Sequence, residues 1–229
     1  MIVAEILAGI AIGYAAGSLL ESTLHEYVSD APARFLRVWR RHPMLFRVFL
    51  NTHFSHHVVH HYQTFRKNHV TQFESATHRA KLENWLLRRG RHGRVIIGGD
   101  FANKLHAEGA VVFALPSTVA GLALGSVAPV STAAAAALTL ALPPLFSYFI
   151  HPYLHMPFSE GQRQAPWIIA ILLKTRYMKA VYRNHFMHHR HGGTSNYNLV
   201  LGADFVRRRV RKPDADAIHA MRDVGMPLD

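Results

Sequence analysis

Histidine is the residue type in this chain that could do chemistry, and its placement is uneven. The sequence holds 18 histidines against 14 aspartates and glutamates, an excess that points to metal or proton chemistry. Most of them fall in four places: His25; His53, His56, His57, His60 and His61; His151 and His155; and His185, His188 and His189. Residues three and four apart share one face of a helix. His53, His56 and His57 should therefore point together, with His60 and His61 extending the stripe by a turn. His185, His188 and His189 repeat the arrangement, and the two copies match in wording, Thr-His-Phe-Ser-His-His at 52–57 and Asn-His-Phe-Met-His-His at 184–189. His151 and His155 form an i, i+4 pair of the kind used for a single metal.

Solvated, such clusters would repel on protonation and offer little packing; neutral imidazoles converging on a cation remove that difficulty. A tetrahedral zinc takes four ligands, and the spacing supplies more than one ion needs, so the pattern divides between two ions that each keep open positions. Imidazole suits zinc, copper, iron and nickel, so ligand type alone does not choose. His25, at the end of an apolar stretch, reads either as a helix-end residue or as a ligand. His42, His69, His78, His92, His106 and His219 read as ordinary surface residues. The chain has no cysteine, which removes disulfides, thiolate zinc sites and iron–sulfur clusters.

The elements that must position these histidines are helical and apolar. Residues 2–20 are apolar apart from Glu5, Tyr14 and Ser18, and at 1.5 Å per residue they reach about 28 Å, close to the bilayer core. No basic region precedes this stretch, so it reads as a retained span rather than a cleaved signal. A second apolar region, interrupted by Ser-Val-Ala-Pro-Val-Ser at 126–131, reads as a transmembrane hairpin with arms at 110–125 and 132–150. The apolar patch 165–173 is too short to span and reads as interfacial. The expected fold is all-α: a small helical membrane protein of about three spans plus interfacial helices. One membrane-embedded domain would cover residues 1–212, followed by a loosely packed polar tail, 213–229. The net charge is +12, and the basic runs at 34–47, 66–104, 174–190 and 207–212 all fall on one side of the spans. That positive-inside pattern leads us to expect an integral protein of a bacterial inner membrane with the histidines at the cytoplasmic face, and it accounts for the charge without nucleic acid. The basic stretch 66–94, with Trp85, is either a solvated face or a site for an anionic group.

These residues resemble the fatty acid hydroxylase and sterol desaturase superfamily of membrane di-iron oxygenases. The likeness runs from about Leu24 to Phe205. Its most specific part is the closing stretch His185-Phe-Met-His188-His189, followed by a short loop, Asn196-Tyr197, and Gly202-Ala-Asp204. The resemblance implies His53, His56, His57, His151, His155, His185, His188 and His189 as metal ligands. It further implies two iron ions, O2 as co-substrate, and an external electron donor of cytochrome or ferredoxin type. The substrate would be apolar or amphipathic, drawn from the membrane lipid. The first motif departs from the family: Leu24-His25-Glu26-Tyr27-Val28-Ser29-Asp30 lacks the second histidine. Asp30 takes its place as a ligand or is a helix-end residue, and His60 or His61 could supply the missing imidazole. Glu26, Asp204 and Asn196 are candidates to orient ligating imidazoles. The expected activity is hydroxylation of an unactivated C–H bond, with desaturation or oxidative cyclisation on the same site as the alternative. Metal transport is a reading of a different class; it would put ligands within the spans rather than at their ends. A hydrolytic zinc site would need fewer imidazoles and a general base, and no H-E-x-x-H occurs.

Overall fold

The structure, a computed structural model, describes residues 1–228. Among these the chain is helical with no strand. Helix α1 (Ile2–Leu24) runs directly into a π-helical turn, π1 (His25–Ser29). Two short helices follow, α2 (Ala33–Arg41) and α3 (Arg47–His53), and α3 runs on into π2 (Phe54–His61). A helical pair, α4 (Ala76–Leu87) and α5 (Arg91–Gly98), precedes the hairpin of α6 (Ala107–Gly125) and α7 (Val130–Leu140). The second arm continues through α8 (Leu142–Leu145), π3 (Phe146–Ile150) and α9 (His151–Leu154). The chain ends with α10 (Phe158–Gln164), α11 (Trp167–Leu173), α12 (Arg176–Arg190), α13 (Ala203–Val206) and α14 (Ala215–Asp223).

Three helices are long and apolar enough to cross a membrane: Ile2–Ser29, Ala107–Gly125 and Val130–Leu154. The first and third run past the expected ends because π1 and α9 continue them, and those extensions carry the histidines. The bundle closes through small residues. Gly9 and Gly13 of α1 press on the α7 backbone: a Cβ on Gly9 would lie 2.3 Å from the Thr132 carbonyl oxygen, and one on Gly13 2.4 Å from that of Ala136. Close approach of this kind is how apolar helices associate where lipid removes the hydrophobic driving force.

Below the spans, α12 is the central strut. Met178, Val181, Tyr182 and Met187 pack with Leu154, Leu173 and Met221. The tail, expected to pack loosely, instead folds as α14 with Ala217 and Met221 wholly buried against this core. Its apolar side chains are widely spaced in a polar run, but Asp214 caps the Ala217 amide and the helix gathers them on one face. The basic stretch 66–94 contributes α4 and α5, whose Leu82, Leu86 and Ile96 pack on Val59 of π2. Arg89 lies over the Phe54 and Trp85 rings. In α2, Trp39 is buried while Arg34, Arg37, Arg40 and Arg41 are exposed, the arrangement of a helix lying on an interface.

Candidate metal centre

The first and third of the long apolar helices, and the helix α3, run into π-helical turns that change which histidines meet. In a π turn the amide bonds five residues back rather than four. The Asp30 amide donates to the His25 carbonyl at 2.8 Å, and the His151 amide donates to that of Phe146. The five-residue period stacks Asp30 beneath His25 and His61 beneath His56. In α12, which stays α-helical, His185 and His189 lie one turn apart and His188 faces aside.

Ten side chains converge into two groups in which all ligand atoms lie within 4.8 Å of one another. One consists of five imidazoles: His60, His151, His155, His185 and His189. The other consists of His25, His56, His61 and His188 with the carboxylate of Asp30. Sequence neighbours separate, His60 from His61 and His188 from His189. The groups share a wall, with the His61 and His189 rings stacked at 4.1 Å.

The hydrogen-bond pattern fits cations. A backbone carbonyl can only accept, so the ring nitrogen facing it must carry the proton. His25 Nδ1 donates to Tyr197 at 2.7 Å, His188 Nδ1 to Ser195 at 2.8 Å, His151 Nδ1 to Asn103 at 2.7 Å and His155 Nδ1 to His69 at 2.8 Å. Each Nε2 is thereby left as a lone pair. These lone pairs point into the groups. His25 and His56 Nε2 are 2.9 Å apart, His56 and His61 3.0 Å, His61 and His188 3.1 Å, and His155 and His185 2.9 Å. Nitrogens bound at about 2.1 Å and right angles around one ion would stand about 3 Å apart. Asp30 Oδ2 lies 3.3 Å from His25 Nε2 and 3.4 Å from those of His56 and His188, yet no hydrogen bond reaches it. Both ring nitrogens of His60 and Nε2 of His189 are likewise buried without a hydrogen-bond partner. Orphaned buried polar atoms are costly, and a cation at the centre of each group would satisfy Asp30 Oδ2 in one and His189 Nε2 with one ring nitrogen of His60 in the other. These buried histidine clusters can hold metal ions.

Electrostatics agree. Burial, and then the neighbouring imidazoles His155 and His151, hold His60 well below the usual histidine range. Burial likewise lowers His61, His185 and His189 and brings His188 down to about 3. These rings are neutral at pH 7, as metal ligands must be. For Asp30, burial acts the other way, but His56, His61 and His25 outweigh it and keep the carboxyl ionised.

His53 and His57 stand outside both groups. The His57 Nδ1–H donates to Asp30 Oδ1 at 2.7 Å, so this ring orients the carboxylate. His53 donates through Nδ1 to the Ser29 carbonyl at 3.1 Å and stacks on His57. An α-helical stripe would have grouped 53, 56 and 57; π2 turns the chain so that 56, 60 and 61 face inward.

Glu26, Asp204 and Asn196 touch no metal-facing imidazole. They fasten the loop that does. Asp204 accepts from Ser22 Oγ at 2.5 Å and from the Asn198 amide at 2.8 Å. Asn196 donates to Asn184 at 2.9 Å, and Glu26 pairs with Arg207 and Arg209 at 2.5 and 2.7 Å. Glu21, buried in α1, accepts from the amides of Leu199 and Val200 at 3.0 and 2.9 Å. The outcome is that the Ser195 and Tyr197 carbonyls are aimed at His188 and His25. Gly193 completes the fit: at φ +73 its Cβ would lie 2.4 Å from Asp30 Oδ1, so only glycine passes there. His69, read from the sequence as a surface residue, is half-buried. It orients His155 through its carbonyl and packs its ring on Phe186 at 5.1 Å, and burial lowers its pKa to about 4.

A pocket touches both groups. Its lining brings His25 and His56 of one group and His151 and His185 of the other together with Leu105, Phe113, Pro143 and Leu199 and with Lys104 and His106. Neither a protein-family model, nor a curated protein, nor a solved structure matches this chain.

Proposed function

We propose that this chain is a membrane-bound di-iron oxygenase that hydroxylates an unactivated C–H bond of an apolar or amphipathic substrate. The observation that carries the reading is the pair of five-ligand groups sharing a wall beside one pocket that both of them line. Two imidazole-rich sites side by side suit a reaction that needs two cooperating ions, and the pocket gives a substrate access to both. The residues that would hold iron are His60, His151, His155, His185 and His189 on one side, and His25, Asp30, His56, His61 and His188 on the other. Iron bound there would supply oxygen activation and hydrogen abstraction from carbon.

The protein's own part is to bind, orient and exclude water. Backbone carbonyls hold four of the rings in one tautomer, His57 holds Asp30, and the apolar wall keeps the reacting carbon dry. The reaction balances as one C–H bond, O2, two electrons and two protons giving C–OH and water. The electrons come from a separate donor of cytochrome or ferredoxin class. Desaturation on the same site would release a second water in place of the alcohol. The exposed arginines of α2 and the basic loops, set at the ends of the spans, support an integral inner-membrane location with the metal groups toward the cytoplasm.

The test is oxygen uptake by protein purified anaerobically, given reductant and membrane lipid extract, with products followed by mass. Reductant-dependent uptake with a mass gain of one oxygen, or a loss of two hydrogens, supports the proposal; metal-loaded protein that consumes no oxygen with any extract overturns it.

A further inference from the structure

A separate cavity lies against α12, away from the metal groups. Ala180, Arg183, Asn184 and Met187 line it. They recur at spacings of three and four and so share one face of the helix, opposite His185 and His189. The closing segment supplies the other wall, with Leu201, Phe205 and Val210 as its apolar part and Arg211 and Lys212 as cations. The cavity measures about 200 Å³. That is below the about 300–1,000 Å³ of a site that encloses a drug-sized molecule, so it takes a headgroup and leaves any tail outside.

Its charge is unbalanced. Residues 207–212 place five cations in six positions. Glu26 answers two of them, Arg207 and Arg209. Asp204 is taken by Ser22 and the Asn198 amide, and Asp214 accepts from the Ala217 amide at 2.7 Å. Among the described residues no carboxylate lines the cavity. Arg183 is half-buried, and among the described residues neither its guanidinium nor the Lys212 ammonium has a hydrogen bond or ion pair. The Arg211 guanidinium meets the ring of His191 at 3.3 Å. Three cations around one cavity repel each other, and an anion between them reverses the sign of that interaction.

The apolar wall sits beside the first long apolar helix. The Tyr14 hydroxyl donates to the Leu201 carbonyl at 2.6 Å, and the Leu201 amide donates to the Tyr177 hydroxyl at 3.0 Å. The Ala203 amide donates to Ser18 Oγ at 2.9 Å. Residues 201–204 thus run along α1 between Tyr14 and Ser22, within the stretch long enough to cross a membrane. Phe205 and Val206 follow, 61 % and 86 % exposed, as suits apolar side chains that lipid covers. Arg183 lies six residues past Tyr177 on α12, a step of about 9 Å from a tyrosine pair to a cation, the order in which an aromatic belt gives way to headgroups.

We infer that this cavity binds the phosphate head of an anionic phospholipid, whose acyl chains lie outside it against Phe205 and Val206. A phosphodiester offers charge and acceptors to Arg183, Arg211 and Lys212 together. A zwitterionic head would bring a fourth cation to a site that already has three. The Arg211 backbone is tied to Asn196, donating to its Oδ1 at 3.0 Å and accepting from its Nδ2 at 3.2 Å. A bound head therefore braces the segment whose Ser195 and Tyr197 carbonyls hold His188 and His25. The inference rests on α1 spanning a bilayer and not on iron or oxygen chemistry.

The experiment titrates the full chain, delipidated in neutral detergent, with dioleoylphosphatidylglycerol and follows binding by native mass spectrometry, with metal content measured on each sample. The first phosphatidylglycerol should bind about tenfold or more tighter than dioleoylphosphatidylcholine. Inorganic phosphate, oleate and polyglutamate in excess should each fail to displace it. Arg183→Gln with Lys212→Gln should weaken binding about tenfold with metal content unchanged, while Arg37→Gln with Arg41→Gln, exposed cations of α2 outside the cavity, should leave it as in the parent. Where the cavity pair does not fold, Lys212→Glu, at an exposed side chain, carries the same prediction. Equal affinity for phosphatidylcholine, binding unmoved by the cavity variants, or an equal loss in the α2 pair would overturn the inference. Displacement by phosphate, polyglutamate or oleate would overturn it in favour of a free anion, an acidic protein or a carboxylate amphiphile respectively. A chain that consumes no oxygen but keeps this binding pattern counts against the oxygenase reading alone.

Discussion

The His57 Nδ1–H donates to Asp30 Oδ1 at 2.7 Å while Asp30 Oδ2 stays without a hydrogen bond among His25, His56 and His188. One oxygen of the carboxylate is thereby fixed by an imidazole and the other is left for a cation. The relationship divides the roles of neighbouring residues, with His56 facing the metal group and His57 acting through Asp30.

That division gives the first prediction. His56→Ala should remove the ion of the Asp30 group and lower metal content from two per chain to one. His57→Ala should keep both ions but weaken metal affinity or turnover by about 10–100-fold, as loss of an orienting partner does. Elemental analysis of the two purified variants separates them, and loss of metal from His57→Ala with retention in His56→Ala would reverse the assignment.

Asp30→Asn keeps the size of the side chain and removes its charge. It should also leave one ion per chain, because four imidazoles and an amide hold a divalent cation less well than four imidazoles and a carboxylate. His53→Ala, outside both groups, should retain both ions.

The closing loop carries a stability prediction. Asp204 is buried and accepts from Ser22 and the Asn198 amide, so Asp204→Ala strands two donors. That should cost about 2–4 kcal/mol, a fall in the midpoint of thermal unfolding on the order of 5–10 °C. Scanning fluorimetry in detergent reads this directly, and an unchanged midpoint would mean that the loop is not held this way.

The pH dependence has a defined sign. Burial lowers His53 and His69 to about 4, against about 6.5 in an unfolded chain. Above pH 6.5 these rings are neutral in both states and contribute nothing to the dependence. As pH falls below 6.5 the unfolded chain binds protons that the folded chain refuses, so stability declines, and the contribution of these two rings levels off near pH 4. His60, His61, His185 and His189, also held down by burial, steepen the same decline, and protonation of these rings would expel metal. Metal-free protein should therefore lose unfolding free energy steadily from pH 6.5 downward; a flat profile between pH 6.5 and 4.5 would contradict the burial of these rings.

Much of this was legible in the sequence, and the failures have physical causes. Residue type and spacing indicate helices, three of them long and apolar near their observed positions, and the convergence of His151, His155, His185, His188 and His189 in groups that can hold metal. The α-helical period could not indicate π1 and π2, whose extra residue per turn is a tertiary effect with no compositional mark; it left His25, Asp30, His60 and His61 as open alternatives and placed His53 and His57 with His56. The groups that orient His25, His151, His155 and His188 are backbone carbonyls of Tyr197, Asn103, His69 and Ser195, and a carbonyl leaves no signal in residue type. The 213–229 tail reads as loose because Ala217, Met221 and Met226 are too sparse to form a visible stripe, yet all three are buried.

The most direct test of the central claim is anomalous X-ray scattering at the iron edge from crystals of anaerobically purified protein. The account predicts two peaks per chain, one enclosed by His60, His151, His155, His185 and His189 and one by His25, Asp30, His56, His61 and His188. A single peak, a zinc edge in place of iron, or a peak bound by His53 and His57 would contradict it.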